Sequence, residues 1–194
     1  MPELVRSEKM LIAKFDNSGV AEKVSILESQ YNFVFPQHYK EFLLHYNGGY
    51  TPRTKVKIEK TSTDIKGFYG IGAAELSLNQ ESLEIWIQKG LFPIACDFFG
   101  NIFLLCIAGD GYGNIFFGDH EKGMAQSMIS NDFSSFLRIC KSDKIPDAAR
   151  RSVDERKADL IARGRESMIT PALIEMWKKE IGKYGGMIQE EVII

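Results

Sequence analysis

Three short β-rich runs follow one another with very little chain between them: "FPIACD" from Phe92, "IFLLCI" from Ile102 and "NIFFGD" from Asn114. The first two are joined through Gly100-Asn101 and the last two through the glycine-rich "GDGYG". Parallel neighbours need a crossover of about a dozen residues or more, which these linkers do not contain. The runs therefore form an antiparallel meander with glycine turns. Further upstream "KVKIEK" alternates strictly, with Val56 and Ile58 facing in and Lys55, Lys57 and Glu59 facing out. That is the pattern of a half-buried strand, and its lysines suit a sheet edge. "DIKGFYGI" follows as its partner.

Around these strands the apolar period changes from two to helical. Val20, Val24, Leu27, Tyr31 and Val34 form one helical face behind "NS", an expected N-cap. A second helix starts at Pro36, carries Phe35, Tyr39, Phe42, Leu43 and Tyr46 on one side, and is stopped by "NGG" at Asn47 to Gly49. "SLNQ" at Ser77 to Gln80 has capping-box spacing ahead of Leu83, Trp86 and Ile87, and Gly90 ends that helix. A last helix is expected from about Ser130 to Lys141. The order of elements indicates an α+β fold, an antiparallel sheet flanked by helices. The chain divides into a domain over 1–141 and a helical C-terminal extension over 142–194. In the extension Leu173, Ile174, Trp177, Ile181 and Tyr184 make a broad apolar face that packs on the body or on another chain.

A chain of 194 residues with 44% hydrophobic and 26% charged residues can bury a core unaided. Its net charge of -2 gives no long-range attraction for nucleic acid or anionic lipid. The longest apolar run, "IFLLCIA", is far short of the roughly 20 residues that span a bilayer. The amino terminus lacks the apolar stretch of a signal peptide, so a cytoplasmic protein is expected. Cys96, Cys106 and Cys140 each fall in phase with apolar neighbours and read as buried thiols in a reducing compartment.

The stretch "GDGYGNIFFGDHE", Gly109 to Glu121, gathers Asp110, Asp119, His120 and Glu121 and resembles a site. As a calcium loop it has acids at the first and twelfth positions, but Tyr112 stands third and Ile115 sixth, where glycine is required. His38, His45 and His120 are scattered, and no HExxH is present, so zinc is not expected. Neither a GxSxG elbow nor a phosphate-cradling glycine motif occurs. Asp119 and Glu121 can serve as acid and base, but as easily mark the polar end of a hairpin. The residues alone indicate a non-catalytic α+β domain with no metal and no cofactor.

Four segments in order, "ILESQYNFVFPQHYKEFLLHYNGG", "LFPIACDFFGNIFLLCI", "GNIFFGDHE" and "FSSFLRICK", resemble the SUKH superfamily, over roughly Val20 to Lys141. The superfamily holds yeast cell-wall-synthesis regulators and many bacterial immunity proteins. The resemblance implies an α+β fold without catalytic residues, and a protein that binds a cognate toxin domain, often a nuclease or deaminase, and blocks it. The family's aspartate-glycine pair is spread here as Asp97-Phe98-Phe99-Gly100, with Asn101 where an acid is common. The expected partner contacts lie at the ends of the central strands: Asp97, Asp110, Tyr112, Asp119 and Glu121. Thirteen basic and sixteen acidic residues precede Lys141, too even a balance for mimicry of nucleic acid. The expected partner is thus a toxin protein, not nucleic acid or a membrane, with a homodimer through the extension as a further option. Two other readings stay open: a regulatory interaction module, and a small hydrolytic or metal site at Asp119, His120 and Glu121.

Overall fold

In the structure, a computed structural model that describes residues 9–58 and 61–194, the three runs become β4 (Leu91–Asp97), β5 (Ile102–Cys106) and β6 (Ile115–Asp119). They form the expected antiparallel meander, with Phe92 opposite Leu105 and Phe103 opposite Phe117. Glu59, read as an outward-facing strand residue, and the first eight residues of the amino-terminal stretch lie outside the described residues.

The meander is the centre of a wider sheet. β1 (Leu11–Lys14), β2 (Gly49–Ile58), β3 (Thr61–Phe68), β7 (Ala125–Ser130), β8 (Lys141–Ser142) and β9 (Glu190–Glu191) complete nine strands among the described residues, all paired antiparallel. The order across the sheet is β7-β6-β5-β4-β3-β2-β1-β9, and β8 pairs with β2. β2 is therefore not an edge strand. It has β3 on one side and β1 and β8 on the other, and Lys55 and Lys57 are exposed on the sheet's open face.

Because side chains alternate across a strand, β5 shows how the two faces differ. Phe103, Leu105 and Ile107 enter a large core with Val20 and Val24 of α1 (Val20–Tyr31) and Tyr39, Phe42, Leu43 and Tyr46 of α2 (Gln37–Tyr46). Leu104 and Cys106 instead meet Trp86 of α3 (Gln80–Ile87) in a smaller cluster. The large core is aromatic: Phe35 meets Phe92 edge-on at 4.7 Å, and Tyr39 and Phe42 meet Phe133 at 5.0 and 5.2 Å. Phe133 and Phe136 come from α4 (Phe133–Ile139), whose N-cap Asp132 accepts from the Ser135 N–H at 2.7 Å. Rings at these spacings gain about 0.5–1.5 kcal/mol per pair beyond area burial.

Several helix ends differ from their expected form. No side chain of "NS" caps α1; Gly19, in the left-handed region, precedes it, and Asn17 donates to the Leu44 and His45 carbonyls. Val34 lies past the helix and is exposed. α3 is capped by Asn79, whose side chain accepts from Ser82 N–H, not by Ser77. α2 ends on Asn47 rather than on a glycine, with φ 48°. The Asn47 side chain is spent locally, donating to Asp16 O and accepting from Ile71 N–H at 2.8 Å each. Gly49 serves a different end: a Cβ there would stand 2.5 Å from the Ala13 carbonyl, so only glycine lets β1 and β2 approach.

The chain forms two compact units. The sheet unit comprises the described residues up to Asp143 together with Glu190–Ile194; the second unit is Lys144–Gln189. The helical segment is thus an insertion in the sequence of the sheet unit, since the last five residues rejoin the sheet. β9 pairs with β1, Val192 N–H donates to Met10 O at 3.1 Å, and Ile193 N–H donates to the Tyr46 hydroxyl at 2.9 Å. Within the helical unit, α5 (Val153–Ala162) opens with a capping box between Ser152 and Glu155. Thr170 caps α6 (Pro171–Tyr184).

Candidate interaction surface at the strand ends

The five residues expected at a partner surface do not form one cluster. β6 runs from Ile115 to Asp119, about 17 Å at 3.4 Å per residue, and separates them. Asp97, Asp119 and Glu121 lie at one end of the meander, and Asp110 and Tyr112 at the other. The same separation rules out a calcium loop from Asp110 to Glu121. Among the described residues no group of three or more His, Cys, Asp or Glu side chains is placed to hold a metal.

At the first end, Asp97 is buried, 3% exposed, and builds the β4–β5 turn. One carboxylate oxygen accepts from the backbone N–H groups of Phe99 and Asn101 at 2.8 and 2.9 Å. The other accepts from the Thr63 hydroxyl and the Asn101 side-chain amide, both at 2.7 Å. Four donors on one carboxylate leave it little capacity for a partner. Asn101 passes the order on, its side-chain oxygen accepting from His120 N–H at 2.9 Å. The locked turn projects Phe98 and Phe99 outward, at 56% and 68% exposure.

Next to that turn, Asp119 ends β6 and starts a 3-10 turn over His120–Lys122. Its carboxylate takes the Glu121 N–H and the Lys122 ammonium, and the Lys122 hydrogen bond, chiefly, holds its pKa below the usual carboxylate range. Glu121 is exposed, and its carboxylate has no hydrogen-bond or ion-pair partner among the described residues. A shallow pocket of about 210 Å³ opens here, lined among others by Thr63, Phe99, Asn101, Asp119, His120 and Glu121. Hydroxyls, carboxylates and aromatic rings together suit a mixed polar and apolar side chain of a partner.

At the opposite end, Cys106 N–H bonds to Asn114 O and Gly113 N–H to Cys106 O, closing the "GDGYG" turn. Asp110 is exposed on it. Tyr112 is half-exposed and donates from its hydroxyl to Val34 O at 3.1 Å, across to the α1–α2 loop. Partial burial pushes that hydroxyl's pKa up, so it stays a donor.

Phe98 and Phe99 are the surface residues that the expected set lacked. Their signal lies in the sequence: two adjacent large aromatics between Asp97 and Gly100 cannot both face the core of a tight turn. The three cysteines are free and buried, and burial pushes the Cys96 and Cys140 thiols up, away from nucleophilic use. No helix among the described residues is long and apolar enough to cross a membrane.

A family model described as SMI1 / KNR4 family (SUKH-1) matches residues 21–139, which include both strand-end turns, the meander and the helices packed on it. No curated protein and no solved structure matches the chain. With well over half of its length matched, and with the sheet and helices in the expected order, the chain belongs to the SMI1 / KNR4 family (SUKH-1).

Proposed function

We propose that this protein is a non-catalytic immunity-type protein that binds a cognate bacterial toxin domain, such as a nuclease or deaminase, and neutralises it by occlusion inside the cell. Family membership fits an immunity-type or a regulatory interaction module. The observation that carries the toxin-binding reading is the rigid turn at Asp97 that presents Phe98 and Phe99 beside the Asp119–Glu121 pocket. Aromatic anchors on a pre-organised loop give affinity at low entropic cost, and the exposed Glu121 carboxylate beside them selects a basic contact. In this reading Asp119 and Glu121 touch the partner, Asp97 shapes the surface from within, and Asp110 and Tyr112 form a second, separate patch. A second copy of the chain, bound through residues 142–194, is a further partner of this reading, checked by molar mass in solution.

The test is co-expression with the toxin domain encoded beside this gene. Neutralisation is expected, and Phe98→Ala combined with Phe99→Ala weakens the complex by about 2–4 kcal/mol if both are anchors. Neutralisation that survives alanine at Phe98, Phe99, Asp119 and Glu121 together rejects this surface. Copurification with several cellular proteins but no toxin replaces the reading with that of a regulatory module.

A further inference from the structure

The two edges of the sheet are built differently. At one, β9 is two residues long and both are glutamates, paired with Lys14 and Lys9 at 3.0 and 2.7 Å. A short, charged edge is a poor template for further pairing. At the other, β7 is six residues long, "AQSMIS", with no charge and no proline. Its only strand partner among the described residues is β6. Ile129 is the extra residue of a bulge between the Ile115–Ser130 and Phe116–Met128 pairs, so the regular edge is Ala125–Met128. Ala125, Gln126 and Met128 are exposed, Met128 at 53%.

We propose that this β7 edge binds an extended segment of the partner protein by strand addition. The inference rests on the toxin-binding reading above and names how that partner docks. Backbone N–H and C=O groups on the outer side of Ala125–Met128 supply the hydrogen bonds, and alternate side chains supply the selectivity. Four regular residues offer about 14 Å of edge. Two such edges paired about a two-fold axis cover far less than the roughly 1,200 Å² of a specific interface, which disfavours a second copy as the occupant. A different protein can combine the edge with the neighbouring turn surface. Three residues separate Ala125 from Glu121, whose carboxylate has no partner among the described residues, so the partner segment carries a lysine or arginine at the end that reaches Glu121.

Hydrogen–deuterium exchange of the full chain, alone and bound to the toxin domain encoded beside the gene, tests this. Binding is expected to slow the Ala125–Met128 amides by about tenfold or more. Met128→Lys and Gln126→Lys, both at exposed positions, are each expected to weaken the complex about tenfold with an unchanged Tm. A neutralising complex with no new protection at Ala125–Met128 overturns strand addition and leaves toxin binding standing. Failure to form any complex overturns both. Protection that grows with protein concentration in the isolated chain assigns the edge to a second copy and overturns the proposal.

Discussion

The sheet unit and the helical unit are held together by different physics. In the sheet unit, Phe35, Tyr39, Phe42, Phe68, Phe103, Phe133 and Phe136 are almost fully buried and touch ring to ring. Lys144–Gln189 has three buried residues, Ile145, Ala149 and Arg156, and the largest is a cation. Arg156 is held by Glu180 at 2.7 Å and by the Arg151 carbonyl at 3.2 Å, with its guanidinium 5.7 Å from the Trp177 ring. None of the residues of α6 is buried. The sheet unit therefore rests chiefly on buried rings, and the helical unit on few buried side chains, half-buried apolar contacts, caps and one buried cation. A fold-stable sheet suits a part whose turns present a rigid surface.

The largest effect that separates the two is Phe133→Ala. It removes a ring touching Tyr39, Phe42, Phe68 and Phe136 and leaves a cavity among the others, so a loss of about 3–5 kcal/mol is expected in denaturant unfolding. Ile174→Ala on α6 takes away a half-buried side chain and is expected to cost under about 1 kcal/mol. Equal losses at the two positions break the contrast.

Asp97→Ala comes next. It strands the donors of Thr63, Phe99 and Asn101 in a buried turn, and a loss of roughly 2–4 kcal/mol is expected. The toxin-binding reading adds a second expectation, weaker binding through disorder of Phe98 and Phe99. Asp119→Ala, by contrast, removes a half-exposed carboxylate held by the Glu121 N–H and an exposed lysine, and a clearly smaller stability change than that of Asp97→Ala is expected. An Asp97 variant as stable as the wild type shows that the turn does not need its carboxylate.

Glu180→Ala probes the helical unit. The pair is partly open to water on the glutamate side, which lowers its worth, while Arg156 is 7% exposed and loses its counter-ion. A cost of about 1–2 kcal/mol is expected, visible as faster amide exchange in α5 and α6. Unchanged exchange would mean that the Arg156–Glu180 pair does not organise this unit.

The sequence made much of the sheet unit legible because its elements carry strong periods. "KVKIEK", the three meander runs and the two aromatic helices each satisfy one period over enough residues to be read. β7 and β9 carry none: "AQSMIS" mixes polar and apolar residues on both sides, and two glutamates give no apolar face. Their strand state comes from neighbours already in place, so only the fold reveals them. The same limit applies at the surface. Asp97 and Asp119 both read as strand-end acids, yet a turn that folds back over one and not the other buries the first and leaves the second half-open. Burial of a turn residue depends on tertiary closure, which no local pattern encodes. The separation of Asp110 from Glu121 was, by contrast, legible: "NIFF" between them reads as a strand, and that strand holds them at opposite ends.

The smallest expected effect lies inside the aromatic core and tests how strictly apolar it is. Tyr39 is fully buried, and its hydroxyl has no hydrogen-bond partner among the described residues. Burial alone pushes its pKa far above the ordinary tyrosine range, so it is a neutral hydroxyl with nothing to bond. Desolvating an unpaired hydroxyl opposes folding, whereas the ring beneath it favours folding through its contacts with Phe35, Phe42, Phe92 and Phe133. Tyr39→Phe keeps the ring and removes the hydroxyl, and is expected to leave stability unchanged or raise it by about 1 kcal/mol. A loss above about 1 kcal/mol would mean that the hydroxyl bonds to a buried water, and the aromatic core would then hold a polar element of its own.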